Sequence, residues 1–249
     1  MPDFATYPSL KGRSVFVSGG GSGIGASIVE HFVAQGSKVG FVDVDEKASK
    51  EVASQTGADF YKCDIRDVKA YQAVIAEAGA KNGPITVLVN NAARDDRHKI
   101  EDVTVGFFDE RIAVNLRHAY FAIQAVVPGM KKAGGGSIVN FSSVSYHTMT
   151  PHLSVYQSAK AAVIGMSRGL ARDLGEHKIR VNSITPGWIM TQRQIELWLT
   201  PEAEAQLMQL QCLKEKVYPP DIARMALFLG ADDSRLITAQ TFVVDGGRM

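Results

Sequence analysis

The sequence predicts a single α/β domain, built on a doubly wound parallel sheet with helices on both faces. Short runs rich in β-branched residues alternate with helical stretches along the chain, which is typical of βαβ units with right-handed crossovers. A glycine-rich turn joins the first run to the first helix. The 249 residues contain no repeat, low-complexity segment or linker, so residues 1–249 are predicted to form one domain.

The first part of the chain predicts three strands and two helices. Residues 14–18, 38–43 and 59–62 are rich in β-branched and aromatic side chains, which favour strands. Helices are predicted at 23–35 and 46–56 between them. The first helix carries its apolar side chains on one face: Ile24, Ile28, Val29, Phe32 and Val33.

The middle of the chain continues the alternation. A helix at 68–81 precedes a strand at 85–90, and a long helix is predicted over 107–132. Three consecutive glycines at 134–136 end that helix, and the run at 137–141 predicts the next strand.

The last part predicts a helix at 155–175 and strands at 179–184 and 241–245. Inward-facing positions of that helix repeat at helical spacing: Ala159, Ala162, Val163, Met166, Leu170 and Leu174. The least regular insert is 188–216, which precedes a late helix. Such segments often cover a binding site, so a substrate lid is predicted there.

Composition excludes several classes of partner. Lys and Arg total 27 against 26 Asp and Glu, and no basic block occurs, which argues against nucleic acid or an anionic membrane as partner. The chain has no signal-peptide pattern and no apolar run near the length of a membrane span, so a cytoplasmic protein is predicted. Cys63 and Cys212 lack metal-type spacing; buried thiols are favoured over a disulfide, and no metal site is predicted.

The glycine-rich turn at 18–25 predicts a nucleotide site. Its glycines allow positive φ and close approach to a pyrophosphate, while the helix that follows offers free N–H groups and the positive end of its dipole. The spacing is Gly-x3-Gly-x-Gly rather than Gly-x-Gly-x-x-Gly. The predicted contacts are Gly19, Ser22, Gly23, Ile24 and Gly25.

Acids and amides at the next strand ends complete the predicted cofactor site. Asp43 lies 18 residues after Gly25, where a carboxylate accepts hydrogen bonds from the adenosine ribose and repels a 2′-phosphate, so NAD is preferred and NADP is possible. Asp64 either meets the adenine amino group or caps a helix, and Ile65 follows it. Asn91 and Ala92 end the fourth strand beside the ribose, although such amides also pin neighbouring strands.

Tyr156 and Lys160 predict the chemistry. Their spacing of four residues places both side chains on one helix face. A phenol has a pKa near 10, and an adjacent ammonium is expected to lower it. The pair therefore predicts a base that takes a proton from an alcohol near neutral pH. Ser142 and Ser143 lie shortly before this helix, and Asn115 lies within the long upstream helix.

These features together resemble the short-chain dehydrogenase/reductase family, a Rossmann-type fold, over nearly the whole chain. The resemblance rests on the Gly-x3-Gly-x-Gly turn, Asn-Asn-Ala at 90–92, a Ser and Tyr-x3-Lys, although Ser18 and Ala93 stand where Thr and Gly are common. It implies that the catalytic group is Asn115, Ser143, Tyr156 and Lys160, with Asn115 binding a water that links Lys160 to solvent. It also implies a homotetramer, and places further cofactor contacts at Tyr156, Lys160, Pro186, Gly187, Ile189 and Thr191, with Lys160 on the nicotinamide ribose.

The loops after the fourth, fifth and sixth strands are polar, which predicts a sugar as substrate. A sugar needs several hydroxyl partners and an aromatic plane for its C–H face, whereas a steroid needs an apolar pocket. The loop at 95–98 could instead be a solvated loop. The predicted substrate contacts, besides Ser143 and Tyr156, are Asp95, His98, Ser145, His147, Trp188, Gln192 and Arg193.

A narrower resemblance points the same way. The segments 95–99, 114–118, 200–202 and 211–214 resemble bacterial aldose 1-dehydrogenases of the D-xylose and L-arabinose type, which oxidise the anomeric carbon to a lactone. Two alternatives stay open. A 3-oxoacyl carrier-protein reductase, or another secondary-alcohol reductase, shares the same family core, and a non-catalytic dinucleotide sensor shares the fold.

Overall fold

The computed structural model describes residues 4–249 and consists of one seven-stranded parallel sheet flanked by helices. The strands are β1 Ser14–Ser18, β2 Lys38–Asp43, β3 Asp59–Lys62, β4 Val87–Asn90, β5 Gly136–Phe141, β6 Ile179–Pro186 and β7 Thr241–Val244. The helices are α1 Gly23–Ala34, α2 Glu46–Thr56, α3 Val68–Asn82, α4 Val105–Ile112, α5 His118–Lys132, α6 Ser154–Leu174, α7 Gln192–Trp198, α8 Pro201–Leu210 and α9 Pro219–Gly230. None of these helices is long and apolar enough to cross a membrane.

The strand order is β3-β2-β1-β4-β5-β6-β7, so the direction in which the chain builds the sheet reverses between β1 and β4. Two apolar clusters cover the two faces. One cluster packs α1 and α9 on the sheet, through side chains such as Phe32 and Ile222. The other packs α3, α5 and α6, with Ile75, Met130 and Leu174 among its members. The predicted doubly wound α/β fold is confirmed.

The long helix predicted over 107–132 is present, but a π-helical turn at Ala113–Arg117 interrupts it and separates α4 from α5. The helix also begins earlier, at Val105, since Thr104 caps it by accepting a hydrogen bond from the backbone N–H of Phe107 at 3.1 Å. A widened turn inside a helix is commonly associated with a functional site, and this one contains Asn115.

The insert at 188–216 is also more regular than predicted. It contains α7 and α8, each begun by a threonine: the side chains of Thr191 and Thr200 accept hydrogen bonds from Gln194 and Ala203. These caps satisfy backbone donors that would otherwise be free at the start of each helix. Strand β6 runs two residues past its predicted end, because Thr185 and Pro186 still pair with β7.

Candidate active site

A cleft of about 920 Å³ opens at the carboxyl ends of the strands, where the strand order reverses and where open α/β sheets bind their ligands. Most of the predicted site residues line it: Gly19, Ser22, Gly23, Ile24, Gly25, Asp43, Asp64, Ile65, Asn91, Ala92, Asp95, Ser143, Ser145, Tyr156, Lys160, Pro186, Gly187, Trp188, Ile189, Thr191, Gln192 and Arg193. Asn115, His98 and His147 are not part of its lining.

The glycine turn fits a dinucleotide pyrophosphate. Gly19 and Gly23 have φ of +71° and +55°, conformations that favour glycine. A Cβ on Gly25 would lie 1.8 Å from the Gly19 carbonyl oxygen, so this glycine permits close packing of α1 on the turn. The hydroxyl of Ser22, the residue before α1, forms no capping hydrogen bond, so it does not cover the N–H groups at the start of the helix. The turn and the helix start can therefore receive an anionic group.

Asp43 is fixed at the end of β2 by three backbone donors. One carboxylate oxygen accepts from Gly21 at 2.9 Å, and the other accepts from Val44 at 2.7 Å and Asp45 at 3.0 Å. The glycine turn thus orients the carboxylate predicted to meet the adenosine ribose. The oxygen that accepts only from Gly21 can accept one further hydrogen bond, because each carboxylate oxygen has two lone pairs.

Asp64 forms a bidentate pair with Arg66, with guanidinium nitrogens at 2.9 and 2.6 Å from the carboxylate. This hydrogen bonding holds the pKa of Asp64 below its ordinary value. The helix-cap alternative is wrong, since Asp67 caps α3 by accepting from Ala70.

Asn91 connects the end of β4 to the glycine turn. Its side-chain amide donates to the carbonyls of Ser18 and Gly19 at 3.1 and 3.0 Å. The Ser18 hydroxyl accepts from the backbone N–H groups of Asn91 and Ala92. The Asn91 amide therefore holds the end of β4 against the end of β1, which is the strand-pinning role that the sequence analysis gave beside a ribose contact.

Tyr156 and Lys160 lie together on α6, where Lys160 is buried and Tyr156 is partly exposed to the cleft. The Lys160 ammonium donates to the carbonyl of Phe141 at 2.8 Å and lies 5.6 Å from the centre of the Tyr156 ring. Burial lowers the pKa of Lys160 to about 7. Burial also raises the pKa of Tyr156, although an interaction with the Ser143 hydroxyl acts in the opposite direction.

The expectation that Lys160 lowers the pKa of Tyr156 from its ordinary value is therefore wrong for the protein alone. Burial disfavours the charged form of each group, so it acts against the phenolate and against the ammonium. Each charge becomes favourable when the other is present, because opposite charges attract more strongly where water is excluded. The two groups are thus arranged to form their charged states as a pair.

The structure distinguishes the two neighbouring serines. The Ser142 hydroxyl is buried and donates to the Lys160 carbonyl at 2.8 Å, so it holds β5 against α6. The Ser143 hydroxyl lies in the cleft beside Tyr156 and accepts from the backbone N–H of Ser145 at 3.2 Å. Ser143 is consequently the serine placed to meet a substrate oxygen.

Asn115 is buried in the π-helical turn, and its side chain binds the loop after β4. Its oxygen accepts from the backbone N–H of Arg94 at 2.9 Å, while its amide donates to the carbonyls of Arg94 and Arg111 at 3.1 and 2.9 Å. Both amide protons are used, so the side chain anchors the wall of the cleft that carries Asp95.

Asp95 connects that wall to α7. It forms an ion pair with Arg193 and accepts from the Gln194 amide at 3.1 Å. The Gln194 oxygen in turn accepts from the Trp188 indole N–H at 2.9 Å. These contacts hold the pKa of Asp95 below its ordinary value despite burial. The polar rim is therefore a connected network.

Two predicted substrate residues lie elsewhere. His98 hydrogen-bonds the Asp96 carbonyl and the Ser154 hydroxyl, both at 3.1 Å, so it positions the loop against α6. His147 packs against the ring of Tyr146, with centroids 4.3 Å apart. His98 directly follows the cleft residue Arg97, and His147 lies two residues after the cleft residue Ser145. In both cases the chain turns away from the cleft between the two residues. Neither histidine lines the cleft.

The sequence analysis did not predict every residue of the cleft, and Arg97, Gln194 and Arg248 are among the polar ones it did not single out. Arg97 lies over the ring of Trp198, 4.1 Å from its centre. Arg248 enters from the tail after β7, and its buried Nε has no hydrogen-bond partner among residues 4–249. The signal for Arg248 was its place after the carboxyl end of a strand, the same signal that identified Asp95.

Comparison with known proteins places this geometry among dehydrogenases. A family model described as "Enoyl-(Acyl carrier protein) reductase" matches residues 19–248. A Caulobacter vibrioides protein named D-xylose 1-dehydrogenase is 46% identical over 98% of both chains. A Rhizobium meliloti protein named "Probable galactose dehydrogenase" is 49% identical, covering 97% of this chain and 96% of that one. The structure of Thermoplasma acidophilum aldohexose dehydrogenase superposes with a TM-score of 0.88 at 29% identity, covering 97% and 96% of the two chains.

Proposed function

The chain belongs to the short-chain dehydrogenase/reductase family, and on that premise we propose that it oxidises an aldopyranose at C1 to the lactone. Its family and its dehydrogenase relatives make it an oxidoreductase that acts on CH–OH groups, as the sequence predicted. The sugar assignment is supported by relatives named for xylose and galactose. Candidate sugars are L-arabinose, D-xylose and related aldoses.

The observation that carries the proposal is the polar network beside Tyr156. Asp95, Arg193 and Gln194 offer acceptors and donors on one side of the phenol. The buried Ser145 hydroxyl lines the cleft and has no partner among residues 4–249. Hydroxyl groups both donate and accept, so such a rim suits a sugar better than an apolar alcohol.

The reaction requires removal of the C1 hydroxyl proton and of the C1 hydride. Ser143 would hold the C1 oxygen through a hydrogen bond, and Tyr156 would accept its proton as the general base. Lys160 would stabilise the phenolate through its positive charge. A bound nicotinamide dinucleotide supplies the hydride acceptor. The residues that would hold it are those of the glycine turn, Asp43, and the stretch from Pro186 to Thr191.

We assign the cofactor preference to NAD, with NADP as a weaker alternative. The support is the Asp43 carboxylate, which three backbone donors hold in place at the end of β2. A carboxylate there accepts from ribose hydroxyls and repels a 2′-phosphate. We further propose that 188–216 acts as a substrate lid, and that the protein is a cytoplasmic homotetramer.

The test is a panel of aldopyranoses with NAD and with NADP, followed by the absorbance of the reduced cofactor. At least one pentose or hexose should be oxidised, and epimers should differ in kcat/KM by at least tenfold, because each buried polar group left unpaired costs roughly 1–3 kcal/mol. A 3-oxoacyl thioester and an apolar secondary alcohol serve as the competing substrates. Rapid turnover of either, with none of the aldoses, would overturn the proposal.

A further inference from the structure

Arg248 is a cleft residue whose charge the protein leaves largely free. The side chain lines the cleft and is partly buried, and its Nε is fully buried without a partner among residues 4–249. Burial lowers the pKa of the guanidinium, while the charge of Asp245 acts against this. A buried donor without an acceptor costs free energy, which a ligand oxygen in the cleft would recover.

The tail that carries Arg248 is held in place. The carboxylate of Asp245 accepts from the backbone N–H groups of Gly247 and Met249, at 2.8 and 2.9 Å. The Gly247 carbonyl accepts from the backbone N–H of Cys212 at 3.1 Å, which ties the tail to the segment after α8. The guanidinium is therefore presented from a fixed backbone, although Arg248 lies one residue from the end of the chain.

The sheet order places the segments that carry Asp95 and Arg248 on opposite sides of β5, while α7 follows β6 and reaches back to Asp95 through Arg193 and Gln194. Asp95 follows β4, Ser143 follows β5, and Arg248 follows β7 at the edge of the sheet. Neighbouring strands are about 4.8 Å apart, so β7 lies about 10 Å from β5 on the side away from β4. A sugar whose C1 hydroxyl meets Ser143 and Tyr156 thus has one edge towards each of these two walls.

The two walls differ in hydrogen-bonding chemistry. Asp95, with Arg193 and Gln194, provides both acceptors and donors, which suits hydroxyls. Arg248 can only donate. In a pyranose the two neighbours of C1 are C2, which carries a hydroxyl, and the ring oxygen, which only accepts and which leads to C5 and C6. The ring-oxygen edge matches the donor wall.

We infer that Arg248 is a specificity-determining residue that donates hydrogen bonds to the oxygen on C6, with the C2–C3 edge of the sugar facing Asp95. This assignment rests on the proposed aldose oxidation and goes further, because it fixes the direction in which the ring lies. The recognised chemistry is an oxygen acceptor attached to C5 through one carbon, either a hydroxymethyl group or a carboxylate.

The test uses sugars that differ only at C5. D-galactose, D-fucose and L-arabinose share their other ring centres and carry CH2OH, CH3 and H there; D-glucose, 6-deoxy-D-glucose and D-xylose form the second series. Values of kcat/KM are measured for the full chain, for Arg248→Met and for Arg248→Lys. Arg235→Met is the matched control, since Arg235 is exposed and outside the cleft lining. D-galacturonate tests whether a carboxylate replaces the hydroxymethyl group.

The ratio of kcat/KM for the hexose to that for its 6-deoxy partner should fall at least tenfold in Arg248→Met and recover partly in Arg248→Lys. The ratio of 6-deoxy sugar to pentose should stay within about twofold, and Arg235→Met should change neither. Loss of D-galacturonate turnover in Arg248→Met, where wild type shows it, would extend the recognition to a carboxylate. A hexose-to-6-deoxy ratio that stays within twofold of wild type in Arg248→Met, while aldoses are still oxidised, overturns the inference alone. An absence of turnover with every aldose overturns the proposed function as well.

Discussion

At the scale of single residues, the site depends on Tyr156 and Lys160, whose charged forms are disfavoured by removal from water. Burial raises the pKa of Tyr156 and lowers the pKa of Lys160 to about 7, so it opposes the charged form of each group. The sequence predicted that the two side chains share a helix face, because that follows from a spacing of four. It did not predict the balance between attraction and burial, because the depth of a side chain depends on packing from the rest of the chain.

Replacing Tyr156 with Phe should remove the base without changing the shape of the site. General acid–base catalysis contributes roughly 10²–10⁴-fold, so kcat for aldose oxidation should fall by about that factor. Cofactor binding, measured by fluorescence titration with the reduced dinucleotide, should stay within a few-fold of wild type. Turnover close to wild type in this variant would contradict the assigned role of the phenol.

The buried ammonium predicts a pH-dependent stability difference between wild type and Lys160→Met. The folded protein lowers the pKa of Lys160 from 10.5 to about 7, so the unfolded chain binds more protons than the folded chain between those values. Stability of the wild type should therefore rise with pH across that window, by up to roughly 1.4 kcal/mol per pH unit relative to the variant. Below about pH 7 Lys160 is protonated in the folded and in the unfolded chain, so the full free-energy cost of burying its charge is then present.

Urea unfolding at pH 6 and at pH 9.5 measures this linkage. The variant should gain most over wild type at pH 6, and the difference should shift towards wild type at pH 9.5. Other titrating groups cancel, because both proteins contain them. A stability difference that is the same at both pH values would show that Lys160 is not a buried cation.

Asp43→Ser should change the choice of cofactor. The substitution removes an acceptor for the ribose hydroxyls and a repulsion towards a 2′-phosphate. The ratio of kcat/KM for NAD to that for NADP should fall at least tenfold, with the sugar KM little changed. Wild-type protein that prefers NADP by tenfold, about 1.4 kcal/mol, would refute this interpretation of Asp43.

At the scale of elements, the cleft is closed on one side by contacts between the loop after β4 and α7. The loop is held by Asn115, whose side-chain oxygen accepts a hydrogen bond from the loop backbone, and by the ion pair of Asp96 with Arg111. It then binds α7 through Asp95 and Arg193. The sequence identified Asn115 and Asp95 as site residues. The π-helical turn that brings Asn115 under the loop could not be predicted, because the apolar pattern of α4 and α5 continues through it.

Asp95→Asn should loosen this closure. The change removes the charge that pairs with Arg193 while keeping the size of the side chain, and it weakens charge-assisted hydrogen bonding. The KM for the sugar should rise roughly tenfold, about 1.4 kcal/mol, with the KM for the dinucleotide within twofold.

Glu46→Gln is the control for that experiment. It breaks the exposed ion pairs of Glu46 with Lys50 on α2 and with Lys62 at the end of β3, outside the cleft lining, and should leave both KM values unchanged. If Asp95→Asn has a sugar KM as low as the control, the closure does not contribute to substrate binding.

At the scale of the whole molecule, the fold followed from the alternation of short strands with helices, and six of the seven predicted strands begin within a residue of their place in the structure. The fourth was predicted at 85–90 but begins at Val87. The glycine turn, Asp43 and the Tyr156 helix were placed in one cleft because parallel strands end at the same edge of a sheet. Arg248 follows the carboxyl end of β7, but the sequence did not show that the tail turns its side chain into the cleft.

The central claim is that the C1 hydrogen of an aldose leaves as hydride while Tyr156 takes the hydroxyl proton. The most direct measurement uses an aldose deuterated at C1 with NAD, and follows the label by mass spectrometry in both products. The account predicts one deuterium in the reduced cofactor, an unlabelled lactone or its hydrolysis product, and one cofactor reduced per sugar oxidised. Deuterium retained in the oxidised sugar would place the reaction at another carbon and contradict the account.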